Sequence, residues 1–392
     1  MLKVLPDKVT IKDEANLPMV ISARHQTVQR AISDLRRGGS VLVRSSQGGV
    51  YLIRAAEQIT SDTMAEMGVL SRSSPFLLIT HHRAKAIGLT PKENAVACSI
   101  ALDNPITNKG NSDLIRGLIG DLPLQDEVKH LSILAEKKGS IAETILILMR
   151  VARLLPAAMT THLFMPDHAA LRVWADEHGV LIVQDSDIRA FEAISASLLK
   201  EVARAHLPLA DAEDSQIVIF RPGDGGTEHF ALIIGNAEAM TAPPTRIHSQ
   251  CITGDILGSL KCDCGDQFRQ AIRQMAELGG GVLIYLAQEG RDIGLVNKLK
   301  AYALQDMGAD TVDANHHLGF ETDHRYFLPA AEMLRQMGVE QIQLLTNNPD
   351  KIAQIKACGI NVVKRLPLIT PDNPHNAEYL ATKAKRTGHL LD

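Results

Sequence analysis

The sequence predicts a two-domain protein of mixed α/β and α+β class, and three observations carry that reading. The chain has 392 residues, about two domains at roughly 150 residues each. Apolar patterns of helical and of strand period alternate along it over short connections, which excludes an all-β fold. Hydrophobic residues make up 45% and charged residues 22%, the balance of a globular chain and not of a disordered one.

The elements follow in order. Val28, Ala31, Ile32 and Leu35 lie on one face of a helix, which Gly38 and Gly39 stop. Val41 to Val43 reads as a buried strand, Gln47 to Gly49 as a turn, and Val50 to Ile53 as a second strand. A helix is expected over 141–155, ending before Pro156, and another over 167–177, with a strand over 180–183. The polar, acidic stretch 207–215 is the one sustained break in periodicity near the middle. It divides the chain into an amino-terminal domain, 1–206, and a carboxy-terminal domain, 215–392. Strands 217–220 and 229–234 then flank a glycine-rich turn, 223–226, and further strands are expected at 282–286 and 342–345.

Charge and composition exclude several function classes. Lys and Arg total 41 against 45 Asp and Glu, a net charge of -4, which argues against sequence-indifferent nucleic-acid binding. Aromatics are only 4%, too few for a base-stacking platform. No apolar run approaches the roughly 18 residues of a membrane span. The amino terminus lacks the apolar core of a signal peptide, so a cytoplasmic protein with reduced thiols is expected.

Chemistry concentrates where the cysteines do. Cys251, Cys262 and Cys264 form the pattern C-x10-C-x-C, while Cys98 and Cys358 stand apart as core filler. Three thiolates meeting at one point would hold one Zn²⁺ and leave a fourth tetrahedral position for water, acidified toward neutrality. Spacing alone equally allows a closed structural site with His248 as fourth ligand, or unconnected buried cysteines. Other polar residues carry two readings as well. Tyr302 is an active-site or a core-edge tyrosine. Glu289 and Arg291 are ligand contacts or a surface ion pair. Thr346 and Asn347 touch a ligand or cap a helix.

The surrounding motifs narrow these choices. Arg246-Ile-His-Ser-Gln-Cys251 precedes Lys261-Cys262-Asp-Cys264-Gly-Asp-Gln267, and Gln288-Glu-Gly-Arg-Asp292, Asn315-His-His-Leu-Gly-Phe320 and Leu344-Leu-Thr-Asn-Asn-Pro-Asp-Lys351 follow. In this order, over about 217–391, they resemble GTP cyclohydrolase II. The resemblance implies a zinc-dependent opening of a nucleobase ring in a small-molecule nucleotide. It implies Cys251, Cys262 and Cys264 as zinc ligands, Asp323 as proton acceptor, Arg325 as the nucleophile toward the α-phosphate, and Tyr302 as an active-site tyrosine. Arg246, His248, Ser249, Gln250, Gln267, Glu289, Gly290, Arg291, Thr311, Thr346 and Lys351 match nucleotide-binding positions. Mg²⁺ is a second candidate metal, and a homodimer is expected.

The first half resembles dihydroxybutanone phosphate synthase, which is often fused ahead of that enzyme. Its acid-rich metal loop is replaced by Arg44-Ser-Ser-Gln-Gly-Gly-Val50, without a carboxylate. His130 matches one of that family's histidines, and the later one is replaced near Ser140. A magnesium site needs oxygen ligands, so this half reads as inactive. An inactive first half on an intact cyclohydrolase half is similar to the cyclohydrolase-like proteins of uracil catabolism. Gln250 stands where a Glu is usual and Ala287 where an Arg is usual, which argues for a neutral pyrimidine edge over guanine. The expectation from sequence is therefore uridine monophosphate. The alternatives are GTP, taken to formate, pyrophosphate and a diaminohydroxy-phosphoribosylaminopyrimidinone in riboflavin biosynthesis, and a non-catalytic zinc-binding regulator.

Overall fold

A computed structural model describes residues 17–102, 111–122, 124, 128, 131–223, 226–370 and 374. His130, part of the 223–226 turn and the end of the stretch resembling the cyclohydrolase lie outside the described residues. The described residues form two seven-stranded sheets, one in each half.

The first sheet contains β1 (Val41–Arg44), β2 (Val50–Ala55), β3 (Phe76–Thr80), β4 (Ala95–Ala101), β5 (Ile133–Lys137), β6 (Ala157–His162) and β7 (Leu181–Gln184). Their order is β5-β4-β3-β6-β2-β1-β7, antiparallel throughout except for β1 beside β7. Both faces are covered. Helices Leu17–Arg36 and Ile141–Val151 bury Val28, Leu35, Ile145 and Met149 against one side. The helix expected to reach 155 stops earlier. Arg153 takes the left-handed conformation (φ 57°) and the Leu154 amide returns to the Met149 carbonyl at 3.1 Å, a helix stop with arginine where glycine is usual.

The second sheet contains β8 (Leu199–His206), β9 (Ser215–Pro222), β10 (His229–Gly235), β11 (Pro244–Ser249), β12 (Gly280–Leu286), β13 (Gln341–Leu345) and β14 (Asn361–Leu366), in the order β14-β13-β11-β12-β10-β9-β8. Strand β8, which the sequence reading left at the end of the first domain, pairs with β9. The run β14-β13-β11-β12 is parallel, so β11, β12 and β13 all end on the same edge. In open α/β sheets that carboxyl edge is where small molecules bind.

The two halves share a core. Ile293, Ala301, Ala314, Leu318 and Phe320 of the second half are buried in the same cluster as Leu42, Leu52, Leu77 and Met159 of the first. Helices Leu295–Asp306 and Thr311–His317 thus lie between the two sheets.

Candidate active site

Three strand ends deliver the site. β11 carries Arg246, His248 and Ser249 and runs into Gln250 and Cys251; β12 leads to Glu289, Gly290 and Arg291; β13 leads to Thr346. They border a cavity of about 360 Å³, within the usual range for small-molecule sites. Helix Cys264–Glu277 adds Cys264 and Gln267, helix Leu295–Asp306 adds Tyr302, helix Thr311–His317 adds Thr311, and helix Pro349–Ala357 adds Lys351 from its first turn. Arg325 completes the lining. Of the metal-ligand, catalytic and nucleotide-binding residues that the resemblance implies, Asp323 alone is not part of that lining. It lies behind Arg325, bound to the guanidinium at 2.5 and 2.9 Å.

The three cysteines meet. Their sulfurs lie within 4.8 Å of one another, with Cys251 and Cys262 at 3.6 Å. Among the described residues no His, Asp or Glu joins this group. His248 is committed elsewhere, its Nε2 at 3.1 Å from Asp255. Gly254 makes the convergence possible, because a Cβ there would stand 2.8 Å from the Cys262 sulfur and 3.2 Å from that of Cys251. The Cys251 thiol is pushed far down by hydrogen bonds from Cys262 and Cys264, with Lys298 adding its charge, while Cys264 is pushed up. Three sulfurs crowded at one point beside the Lys298 ammonium are an arrangement that a soft cation relieves.

Two polar networks fix the cluster. Asp255 accepts from the Cys251 amide (2.9 Å) and the Tyr285 hydroxyl (2.9 Å) beside its contact with His248. Lys298 donates to the Cys251 sulfur (3.1 Å), to Thr253 (2.8 Å) and to Glu289 (2.8 Å), and Glu289 also takes the Ile252 amide (2.7 Å). Asp255 and Lys298 were not found from sequence. Lys298 left one signal, its place four residues before Tyr302, which puts both on one helix face.

The rest of the cavity is cationic and partly unsatisfied. Buried Arg246 donates to the Leu345 carbonyl (3.0 Å) and Gln267 (2.6 Å), and burial lowers its pKa to about 10. Lys351 donates to the Ile247 carbonyl at 3.0 Å, and Arg291 to that of Thr322 at 2.9 Å. Burial works to raise the Asp323 pKa, but the charge and hydrogen bonds of Arg325 hold it well below the usual carboxylate range. Arg246 Nε, His248 Nδ1 and Ser249 Oγ are buried without a hydrogen-bond partner. Three orphaned groups on one strand at about 1–3 kcal/mol each are costly unless a ligand pairs with them. Thr346 is no helix cap. Its hydroxyl accepts from the Asn348 amide (3.0 Å), and Asn348 itself caps the following helix.

Comparison with known proteins gives consistent results. Residues 200–367 match the family described as GTP cyclohydrolase II. The chain is 44% identical over 386 residues to a GTP cyclohydrolase-2 of Azospirillum brasilense, covering 96% of this chain and 97% of that protein. It is 32% identical to the riboflavin biosynthesis protein RibBA of Chlamydia trachomatis, covering 93% of each. A GTP cyclohydrolase-2 of Pectobacterium atrosepticum is 50% identical over 194 residues, which is 50% of this chain and 98% of that protein. Among solved structures, a two-domain 3,4-dihydroxy-2-butanone 4-phosphate synthase from A. baumannii aligns at a TM-score of 0.35 and 16% identity, over 81% of this chain and 93% of that one.

These findings correct the uridine monophosphate expectation. A relative aligned across both halves is named GTP cyclohydrolase-2, so a long first half does not mark a pyrimidine enzyme. The geometry removes one of its supports. Ala287 does not border the main cavity but a smaller cleft beside Arg153, so the missing charge at 287 says nothing about the base.

Proposed function

Because the chain belongs to the GTP cyclohydrolase II family, hydrolases acting on C–N bonds, we propose that it opens the imidazole ring of GTP. Formate, pyrophosphate and a diaminohydroxy-phosphoribosylaminopyrimidinone would be its products. One observation carries the reading: a three-sulfur donor set and the cations Arg246, Arg291, Arg325 and Lys351 border the same cavity. A metal ligand set beside phosphate-binding charge suits a nucleotide whose base is attacked while its phosphates are held.

The donor set fits zinc, with Cys251, Cys262 and Cys264 as ligands. Zinc held there supplies a Lewis acid that makes water nucleophilic near neutral pH. The chain's own residues do the rest. Lys298 and the Gly254 amide donate to the Cys251 sulfur and offset its charge. Tyr302, pushed up by burial to about 12, stays protonated and serves as a hydrogen-bond donor. Gln250 and Ser249 offer amide and hydroxyl groups to the base. Arg246, Arg325 and Lys351 hold the phosphates, and ionised Asp323 aims the Arg325 fork.

The test is direct. Zinc-loaded protein given GTP is expected to release one formate and one pyrophosphate per nucleotide, and Cys262→Ser to lose both zinc and turnover. Absence of formate from GTP overturns the reading.

A further inference from the structure

Among the described residues the first half contributes no group to the cavity, yet its side chains reach two of the loops that do. Arg153 donates to the Ala287 carbonyl at 2.7 Å and lies 3.7 Å from Asp292, while its own carbonyl accepts from Asn297 at 3.2 Å. Between these contacts runs a turn in which Gly290, Arg291 and Asp292 have φ of 64°, 61° and 74°. Two consecutive non-glycine residues in the left-handed region persist only where surrounding structure holds them. The turn delivers Glu289 to Lys298 and to the Ile252 amide beside the cysteines, and Arg291 to the cavity.

The second contact is at the other loop. Arg83, buried in the first half, donates to the carbonyls of Leu118 (2.7 Å), Gly117 (2.8 Å) and, across the boundary, His317 (2.5 Å). Thr80 donates to the Gly319 carbonyl at 2.7 Å. Gly319 is closely enclosed, since a Cβ there would meet Thr80 Oγ1 at 3.1 Å. From this corner the chain runs through Phe320, buried in the shared core, to Asp323 and Arg325. The loops are also tied to each other, Arg291 to Thr322 and Gln288 to the Tyr326 carbonyl.

We propose that Arg153 and Arg83 are positioning residues for the cyclohydrolase reaction, through which the first half sets the two catalytic loops of the second. The inference rests on the function proposed above for the cavity. Arg153 carries it furthest. It occupies a left-handed helix stop where glycine is favoured, so its side chain offsets a backbone cost.

That conformation also supplies the variant. Arg153→Gly satisfies the backbone and deletes the fork, so the fold is retained while the clamp is lost. Misplacement of catalytic groups by about 1 Å costs up to about a hundredfold, so kcat is expected to fall by about ten- to a hundredfold, with KM changed far less and zinc content unchanged. Arg153→Lys, which keeps a donor, is expected to recover part of kcat. Amide exchange over 288–294 is expected to accelerate in Arg153→Gly, while that of helix Cys264–Glu277 stays as in the parent. Unchanged kcat and unchanged exchange overturn the inference. So does a fall in kcat accompanied by a lowered unfolding midpoint and no recovery in Arg153→Lys, which reduces Arg153 to packing. If the parent protein releases no formate from GTP, the proposed function fails, and the exchange comparison alone then decides this inference.

Discussion

Gly254 shows how narrowly the cysteine trio is specified. The space a methyl group would take is already filled by two sulfurs, at 2.8 and 3.2 Å. Gly254→Ala must displace one of these sulfurs, so, on the function proposed above, zinc affinity is expected to fall at least about tenfold while the fold holds. Competition against a chromogenic chelator measures this, and parental affinity in the variant would show that the sulfurs do not share one ion. The trio itself was legible, because C-x10-C-x-C sits among motifs that fix its meaning. Asp255 and Lys298 were not legible. An aspartate in a loop and a lysine on a helix have the composition of solvated surface, and only folding buries Lys298 against Glu289 and Cys251. Asp323 was singled out from sequence, but its place outside the cavity lining, bound to Arg325, was not legible there.

The turn after β12 and the helix behind it carry the next predictions. Asp292 is largely but not fully enclosed in that turn, with 20% of its side chain exposed, and desolvation raises its pKa to about 6 against the pull of Arg153. An acid with a raised folded-state pKa favours the fold when protonated and loses that contribution as pH rises through the folded value. Asp292→Asn removes the charge and keeps a residue that tolerates positive φ. The variant's unfolding free energy is therefore expected to gain on the parent's between pH 4 and pH 6, by about 3 kcal/mol, and to hold that gain above. A difference flat across that range would reject the raised pKa. Lys298→Met leaves Glu289 buried without its ammonium, and breaking such a pair costs about 3–5 kcal/mol. A lowered midpoint together with weakened zinc binding is expected, measured by thermal unfolding and by metal titration. Strands β12 and β13, whose ends help build the site, were readable from their apolar runs, but β11 was not, because Pro244-Thr-Arg-Ile-His-Ser249 shows no such run. Strand β8 was not, because every residue after Leu199 is exposed and the run Lys200-Glu-Val-Ala-Arg-Ala-His206 has no buried face to show. Charged residues on such an edge are how sheets discourage unwanted pairing.

At the scale of the molecule the question is why a cyclohydrolase half that matches a relative of about its own length should carry a second half at all. In this chain the answer lies in the shared core. Ile293, Ala301, Ala314, Leu318 and Phe320 have no more than 6% of their surface exposed, and they pack among residues of the first sheet. Full burial of a large apolar side chain contributes about 1.5–3 kcal/mol, so Phe320, Leu318 and Ile293 together weigh as much as the net stability of many domains. Residues 199–392 expressed alone would turn that face to solvent, a patch of the kind that drives association. The isolated half is expected to aggregate or to bind an apolar dye strongly, and to regain solubility and turnover when residues 1–198 are co-expressed as a separate chain. Size-exclusion chromatography and formate release read both outcomes. A monodisperse, fully active isolated half would show that the two sheets share a core without depending on it, and would leave the first half without a structural claim on the reaction.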